Sequence, residues 1–295
     1  MTIANLPARR PFSLGLLRPY IGNVLRNFYR HDGLNYGAAL AFFFLFSLFP
    51  LLIFLAAVLA YIPATDLFPT IVQLMSLVIP ASAMDRVETI LAQVLEPSLG
   101  LLSSGFLGAV WLASIGADSL INSMNVVYEV PEGRPFWRRR MLAVELTVLM
   151  GGMAIVALLF GLVGPLIGSL ITSALGVPSQ FVALWSWVRW VIILTFLILA
   201  LQILYWIAPN RGLSFAWQAP GACLAVIAWI GASLILDGFI ATFARYNQVY
   251  GALGSLIVLM TWFYVSALAV LLGAELNAEI ASRRTAGGFR EMAAA

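Results

Sequence analysis

Residues 182–207 read VALWSWVRWVIILTFLILALQILYWI, a run of 26 positions interrupted by a single charge, Arg189. Coiled as an α-helix at about 1.5 Å per residue, the run is roughly 39 Å long, enough to cross the ~30 Å hydrocarbon core of a bilayer. A helix at the surface of a soluble protein keeps a polar face, and this one has none. Five further stretches share its character, so six membrane spans are expected: Tyr36 to Ile62, Leu99 to Ser123, Met141 to Gly164, Val182 to Ile207, Trp217 to Phe243 and Leu253 to Ala274. The fold class is all-α, a polytopic six-helix membrane protein. One integral membrane domain fills residues 1–295, divided into an N-terminal segment (1–35), a bundle (36–274) and a tail (275–295).

Composition supports the same conclusion. Of 295 residues, 62% are hydrophobic and 10% charged, against about 25% charged in an ordinary soluble domain. Every one of the 16 basic residues is an arginine. Without lysine the chain can form neither a Walker A phosphate loop nor a Schiff base. One cysteine, Cys223, and one histidine, His31, cannot make a disulfide, a zinc site of nitrogen and sulfur ligands, or an HExxH protease. No cofactor is expected, and the chain is not read as an enzyme. Gly231-Ala232-Ser233-Leu234 has the pattern of an intramembrane serine protease, but His31 precedes span one, and His31-Asp32 lacks the further histidines of a dinuclear hydrolase.

The arginines are sorted. Thirteen fall before span one, between spans two and three, after span four, or in the tail; Arg86 and Arg245 fall on the other side and Arg189 inside span four. By the positive-inside rule both termini are cytoplasmic. A five-span chain would spoil this sorting. The sorting also accounts for the positive net charge, leaving no basic track for nucleic acid. Trp185 and Trp187 are expected at the outer interface, and Tyr205, Trp206 and Trp217 at the inner one. Ahead of span one, Ile21, Val24, Leu25 and Phe28 recur at helical spacing between Arg18, Arg26 and Arg30, as in a basic amphipathic helix on the cytoplasmic leaflet. In the outer loop, Phe68 to Ile79 is apolar but too short to span, and Val87 to Leu95 forms a stripe begun by a capping box, Ser82 with Asp85. These segments form either an outer cap or a hairpin resting at the interface.

Polar groups inside spans are costly and become candidate sites. Ser114, Asp118, Asn122 and Asn125 share one face of span two. That face either lines a watery vestibule or bonds to neighbouring helices. Glu145 and Glu275 lie near the same depth as Asp118; together they carry protons, or each pairs with interfacial arginines, the reading preferred for Glu279. Arg189 and Asp237, at matching depth in spans four and five, are expected to pair, for structure or for anion binding. Pro50 in the middle of span one frees the carbonyl of Phe46, and either bends the helix to open a path or is accommodated through Ser47. Gly164, Gly168 and Gly151-Gly152 are assigned to close helix packing.

The order and spacing of several short stretches resemble the YihY/virulence factor BrkB family of bacterial inner-membrane proteins, some of which carry a ribonuclease BN label. The resemblance runs from about Leu16 to Ile280. It rests on Leu40-Ala41-Phe42 through Ser47-Leu48-Phe49-Pro50, Asn125 to Tyr128 with Arg134-Pro135-Phe136-Trp137, and Ala208-Pro209-Asn210-Arg211. It continues in Pro220-Gly221-Ala222 and in Tyr250-Gly251-Ala252-Leu253-Gly254 through Trp262-Phe263-Tyr264 to Gly273-Ala274-Glu275-Leu276-Asn277. It implies six helices with cytoplasmic termini in the bacterial inner membrane, and transport of lipidic or amphipathic molecules; it supplies no catalytic residues. The leading expectation is a secondary transporter or lipid translocase, proton-driven, with Asp118, Asn122, Asn125, Glu145, Glu275, Arg189 and Asp237 along its path and Pro50 at its bend. Its partners would be membrane lipids and a small-molecule or lipid substrate. The competing expectation is a scaffold that engages a second copy or another envelope protein.

Overall fold

The computed structural model describes residues 17–59, 98–175, 180–242 and 247–293. Among these, every regular element is helical: α1 (Leu17–Arg30), α2 (Gly33–Leu59), α3 (Leu99–Val127), α4 (Phe136–Leu175), α5 (Gln180–Ile207), α6 (Ala219–Thr242), preceded by a 3-10 turn at Phe215–Gln218, and α7 (Asn247–Ala293). Six of them hold stretches long and apolar enough to cross a membrane: Gly33–Phe54, Leu102–Val127, Phe136–Ala157, Leu184–Ile207, Phe215–Phe239 and Leu256–Arg283. The outer-loop stripe, the Phe68 run, and Arg9, Arg10, Arg86 and Arg245 lie outside the described residues.

Each span packs on the next in chain order, and α7 packs back on α2, so the six helices close into a ring; α3 also reaches α7 across it. Each expected span falls on one of these helices; α3, α4, α5 and α7 run beyond the expected ends, while Ile62 and Phe243, the expected ends of spans one and five, lie outside the described residues. The tail expected from residue 275 is a continuation of α7, because Leu271, Ala274 and Ala278 keep one packed face at helical spacing. Half of the α1 stripe packs inward through Val24 and Phe28, while Ile21 and Leu25 are exposed. Between α1 and α2 the chain reverses at Asp32, which takes a left-handed φ of 61°, a conformation Asp tolerates. Its backbone carbonyl accepts from Asn35 and Tyr36, and its carboxylate from the Asn35 amide.

Lipid offers no hydrophobic drive between helices, so close approach and hydrogen bonds must hold the ring. A Cβ on Gly221 of α6 would strike the backbone carbonyl of Gly273 on α7, and one on Gly273 would strike that of Gly221. On α3, a Cβ at Gly105 would lie 2.9 Å from the backbone nitrogen of Phe54 on α2. The expected Gly151-Gly152 packing site is different: a Cβ at either meets nothing within 4 Å. Tyr205 also departs from expectation. It is fully buried, with its hydroxyl donating to the carbonyl of Val270 at 2.7 Å, whereas Trp187, Trp206 and Trp217 are exposed as a belt requires.

Gly273→Ala should therefore lower stability by about 3 kcal/mol, the upper part of the overpacking range, whereas Gly151→Ala should be neutral or mildly stabilising. Thermal unfolding of the two purified variants in one detergent checks this; equal losses would contradict the close approach.

Candidate functional site

At the end of the bundle that carries α1, polar side chains tie together segments from all six spans. Arg134, just ahead of α4, donates to the carbonyls of Ala208 and Pro209 at 3.0 and 2.8 Å, a cation on the unsatisfied C-terminal groups of α5. Glu132 accepts from the Arg134 backbone N–H and from the Asn125 amide, at 2.9 and 2.7 Å. The other end of the Asn125 side chain accepts from the Asn210 backbone N–H at 2.7 Å. Asn277 on α7 accepts from the Gly221 N–H at 2.8 Å and donates to the carbonyl of Gln218 at 3.0 Å, capping α6 from a neighbouring helix. The Tyr128 hydroxyl donates to the Gln218 side chain at 2.8 Å. Burial pushes its phenol far above the ordinary range, so it remains a donor.

Beside this knot lies a charged cluster. Nδ1 of His31, in the α1–α2 turn, is 2.7 Å from Oε1 of Glu275 on α7. An ionised carboxylate only accepts, so Nδ1–H donates. The Glu275 side chain is 1% exposed and that of His31 10%; Oε2 of Glu275 has no hydrogen-bond partner among the described residues. Nε2 of His31 is 3.2 Å from the Arg30 guanidinium and 3.3 Å from Oε1 of Glu129, and Arg30 and Glu129 themselves form an ion pair. The expected convergence of Asp118, Glu145 and Glu275 is absent. Asp118 accepts from Nε and Nη2 of Arg139, both at 2.5 Å, and Glu145 is exposed.

The polar face of α3 likewise points at neighbours. Ser114 is buried and bonds the carbonyl of Trp111, Asp118 reaches α4, Asn122 is half-buried, and Asn125 anchors the following loop. Arg189 and Asp237 form no ion pair: the Arg189 guanidinium sits 5.7 Å from the Trp190 ring centroid with its Nε buried and without a hydrogen-bond partner among the described residues, and Asp237 is exposed on α6. Matching depth in the sequence does not bring the two into contact. At Pro50, which has no N–H for the carbonyl of Phe46, Ser47 donates instead to the carbonyl of Phe44 at 2.8 Å.

The concavity between the helices is apolar. A cavity of about 580 Å³ lies inside the ring, bounded by Leu40, Phe44 and Leu51 of α2, Ala113, Ala117 and Leu120 of α3, Leu146 and the Gly151-Gly152 pair of α4, Leu204 of α5, and Ala267 and Val270 of α7. Its hydroxyls, Ser47 and Thr147, are engaged with carbonyls of their own helices. Leu51, Phe106, Val148 and Ile155 of its wall are exposed, so the space is open to the surroundings of the helices. Among the described residues no group of three or more His, Cys, Asp or Glu is placed to hold a metal.

Two features escaped the sequence reading. The sequence presents His31 only as a base or metal ligand without its partners; its place at the turn between an amphipathic helix and a span is the signal for the contact with Glu275. The apolar wall had no signal, because its residues differ from other membrane-facing ones only in rotation. Asn125→Ala should cost about 1–3 kcal/mol by stranding Glu132 and the Asn210 N–H, while Glu145→Gln at an exposed position should stay within about 0.5 kcal/mol. Chemical unfolding in mixed micelles separates them; a costly Glu145→Gln would contradict its placement.

The comparisons with known proteins agree with this architecture. The family model for virulence factor BrkB matches residues 24–295. The chain is 38% identical over 267 residues to a Bacillus subtilis protein named ribonuclease-like protein YfkH, covering 90% of this chain and 96% of that one. It is 30% identical to a UPF0761 membrane protein of Rhodospirillum rubrum and 28% identical to one of Nitrosospira multiformis. It spans 62% and 63% of the lengths of those two, which cover 92% and 93% of it. No solved structure matches the chain. A polytopic helical bundle matched by the family model along nearly its whole length is a member of the virulence factor BrkB family.

Proposed function

We propose that the protein is a secondary transporter or translocase of the bacterial inner membrane that holds the apolar chain of a lipidic or amphipathic substrate in the cavity between α2, α3 and α4. The observation that carries this reading is the cavity itself. Its volume, about 580 Å³, lies in the range of small-molecule sites, ~300–1,000 Å³, and its wall offers no free polar group to bind a hydrophilic solute. An apolar space of that size is filled by apolar matter, because an empty one forfeits the dispersion contacts of the atoms that line it. In a bilayer, acyl chains are the material at hand to fill it.

The arginine sorting puts the α1 end, with its polar knot, on the cytoplasmic side, and α1 on that leaflet. With no lysine for a Walker A loop, the chain has no such ATP site of its own. The intramembrane polar residues then divide: Asp118 and Asn125 position helices, Asn122, Glu145, Arg189 and Asp237 stand away from the cavity wall, and Glu275 follows Val270 of that wall on α7. Neither chemistry on nucleic acid nor metal-dependent hydrolysis enters this reading. If the protein is instead a scaffold, the cavity is dispensable.

Gly151→Phe tests the difference, since the space at that position can take a ring without disturbing the helix. Purified protein in liposomes should accelerate the exchange of a fluorescent phospholipid between leaflets, and Gly151→Phe should slow it at least tenfold, the effect of ~1.4 kcal/mol, with the folded fraction unchanged. Acceleration that survives the filled cavity, or none with the wild type, would defeat the reading and favour the scaffold.

A further inference from the structure

The contacts of His31 pose a contradiction that a proton resolves. Its Nε2 faces the Arg30 guanidinium, which only donates, and the Glu129 carboxylate, which only accepts, at 3.2 and 3.3 Å. Nε2 satisfies the first without a hydrogen and the second with one. At its other nitrogen His31 meets Glu275, whose Oε1 is engaged and whose Oε2 is buried without a partner among the described residues. A carboxylate oxygen in dry surroundings with nothing donating to it is costly, and a proton bound on the carboxyl removes that cost.

We propose that Glu275 and His31 form the proton-binding site that couples ion entry to the cavity. A proton from water on the α1 side adds to Nε2 at the exposed edge of the imidazole; the Nδ1–H bond breaks and its proton passes to the Glu275 carboxylate, forming a neutral acid. His31 ends neutral with its hydrogen on Nε2, now turned to Glu129, and Nδ1 accepts from the Glu275 O–H. One proton has entered, and a charge-assisted bond between the α1–α2 turn and α7 has become a weaker neutral one. Val270, in the cavity wall, precedes Glu275 by five residues on α7, about 7.5 Å along the axis. Loosening the turn from α7 therefore acts on the helix that carries Val270, about one and a half turns from the cavity wall.

The other titratable and charged groups facing the pair are accounted for. Arg30 on α1 and Glu129 after α3 flank Nε2; Tyr128, near Glu275 and Arg211, is kept protonated by burial. Asp32 is turned to Asn35 of α2. Glu279, one turn further along α7, is held by Asn23 of α1 at 2.8 Å and by Arg283 at 2.6 Å. Only Glu275 combines burial with an unsatisfied oxygen.

This proposal rests on the cavity reading for its coupling, but its chemistry can be measured without substrate. His31 is the only histidine in the chain, so uniform 15N-histidine labelling in nanodiscs gives the signals of one imidazole. As pH falls, the protonated nitrogen should change from Nδ1 to Nε2, and infrared difference spectra should gain the carbonyl stretch of one carboxylic acid. In Glu275→Gln the band should be lost and the hydrogen should stay on Nδ1. An imidazolium forming without the carboxylic acid band, or an unchanged tautomer in the wild type, would overturn the site. Should Glu275→Gln fail to fold, the wild-type tautomer exchange and band decide the matter alone. In liposomes, an inward proton gradient should speed lipid exchange several-fold in the wild type and have no effect in Glu275→Gln; an equal response in both would overturn the coupling while leaving the cavity intact. Absence of lipid exchange with a normal tautomer change would instead remove the cavity reading and the coupling built on it, and leave the proton site.

Discussion

A helix in hydrocarbon satisfies its own backbone, except at its ends, and gains nothing by hiding apolar side chains from lipid that is equally apolar. Whatever holds six such helices in one arrangement must therefore be found in their termini and in places where backbones touch. Both occur here at one end of the bundle. Asn277 supplies an acceptor to the Gly221 N–H at the start of α6 and a donor to the Gln218 carbonyl before it. Arg134 covers the carbonyls that α5 leaves open at its end. The contact between Gly221 and Gly273 brings α7 close enough for Asn277 to reach. Removing the glycines would put the amide out of range, and without the amide the start of α6 would be unsatisfied.

The concentration of ties at one end leaves the middle of the ring free to be something other than a packed core. In water an apolar cavity of about 580 Å³ would drive collapse or aggregation. In a bilayer the same cavity exchanges one apolar neighbour for another. The alanines and paired glycines along α3 and α4 thus have two distinct uses. Those at Gly105 and Gly116 admit the α2 backbone and side chains, whereas those at Gly151 and Gly152 leave room that no protein atom takes. Residue type is the same in both cases, and only the neighbouring helix decides which use applies.

That distinction explains how far the sequence could be read. Number, order and approximate length of the spans follow from hydropathy, which depends on translation along the chain. Which side chains meet depends on rotation at about 100° per residue, which a helix with apolar residues all round does not encode. Asp118 and Ala117 are neighbours in sequence, yet one grips Arg139 and the other lines the cavity. Arg189 and Asp237 match in depth along the sequence and form no ion pair. Hydropathy ends span six at Ala274, yet the helix continues and Glu275 and Asn277 are buried in the knot. His31 could have been found by asking what partner a buried Glu275 requires in a chain without lysine and with most arginines committed to the surface.

The short stretches on which the family resemblance rests fall mainly on these ties. Asn125 and Tyr128, Arg134, Ala208 to Asn210, Gly221, and Gly273 to Asn277 are the residues that close helix ends or permit backbone contact. Such positions demand one residue type each, since only glycine fits between two carbonyls and only a side-chain amide both donates and accepts at Asn277. The cavity wall demands only that residues be apolar and of suitable volume, which many combinations meet. A pattern dominated by the ties therefore identifies the architecture and is nearly silent on the substrate. The exception is Glu275: the ties would tolerate a glutamine there, and a buried carboxylate with one oxygen unsatisfied is a poor way to join helices. Its presence among purely architectural residues is the part of the pattern that structure alone does not require.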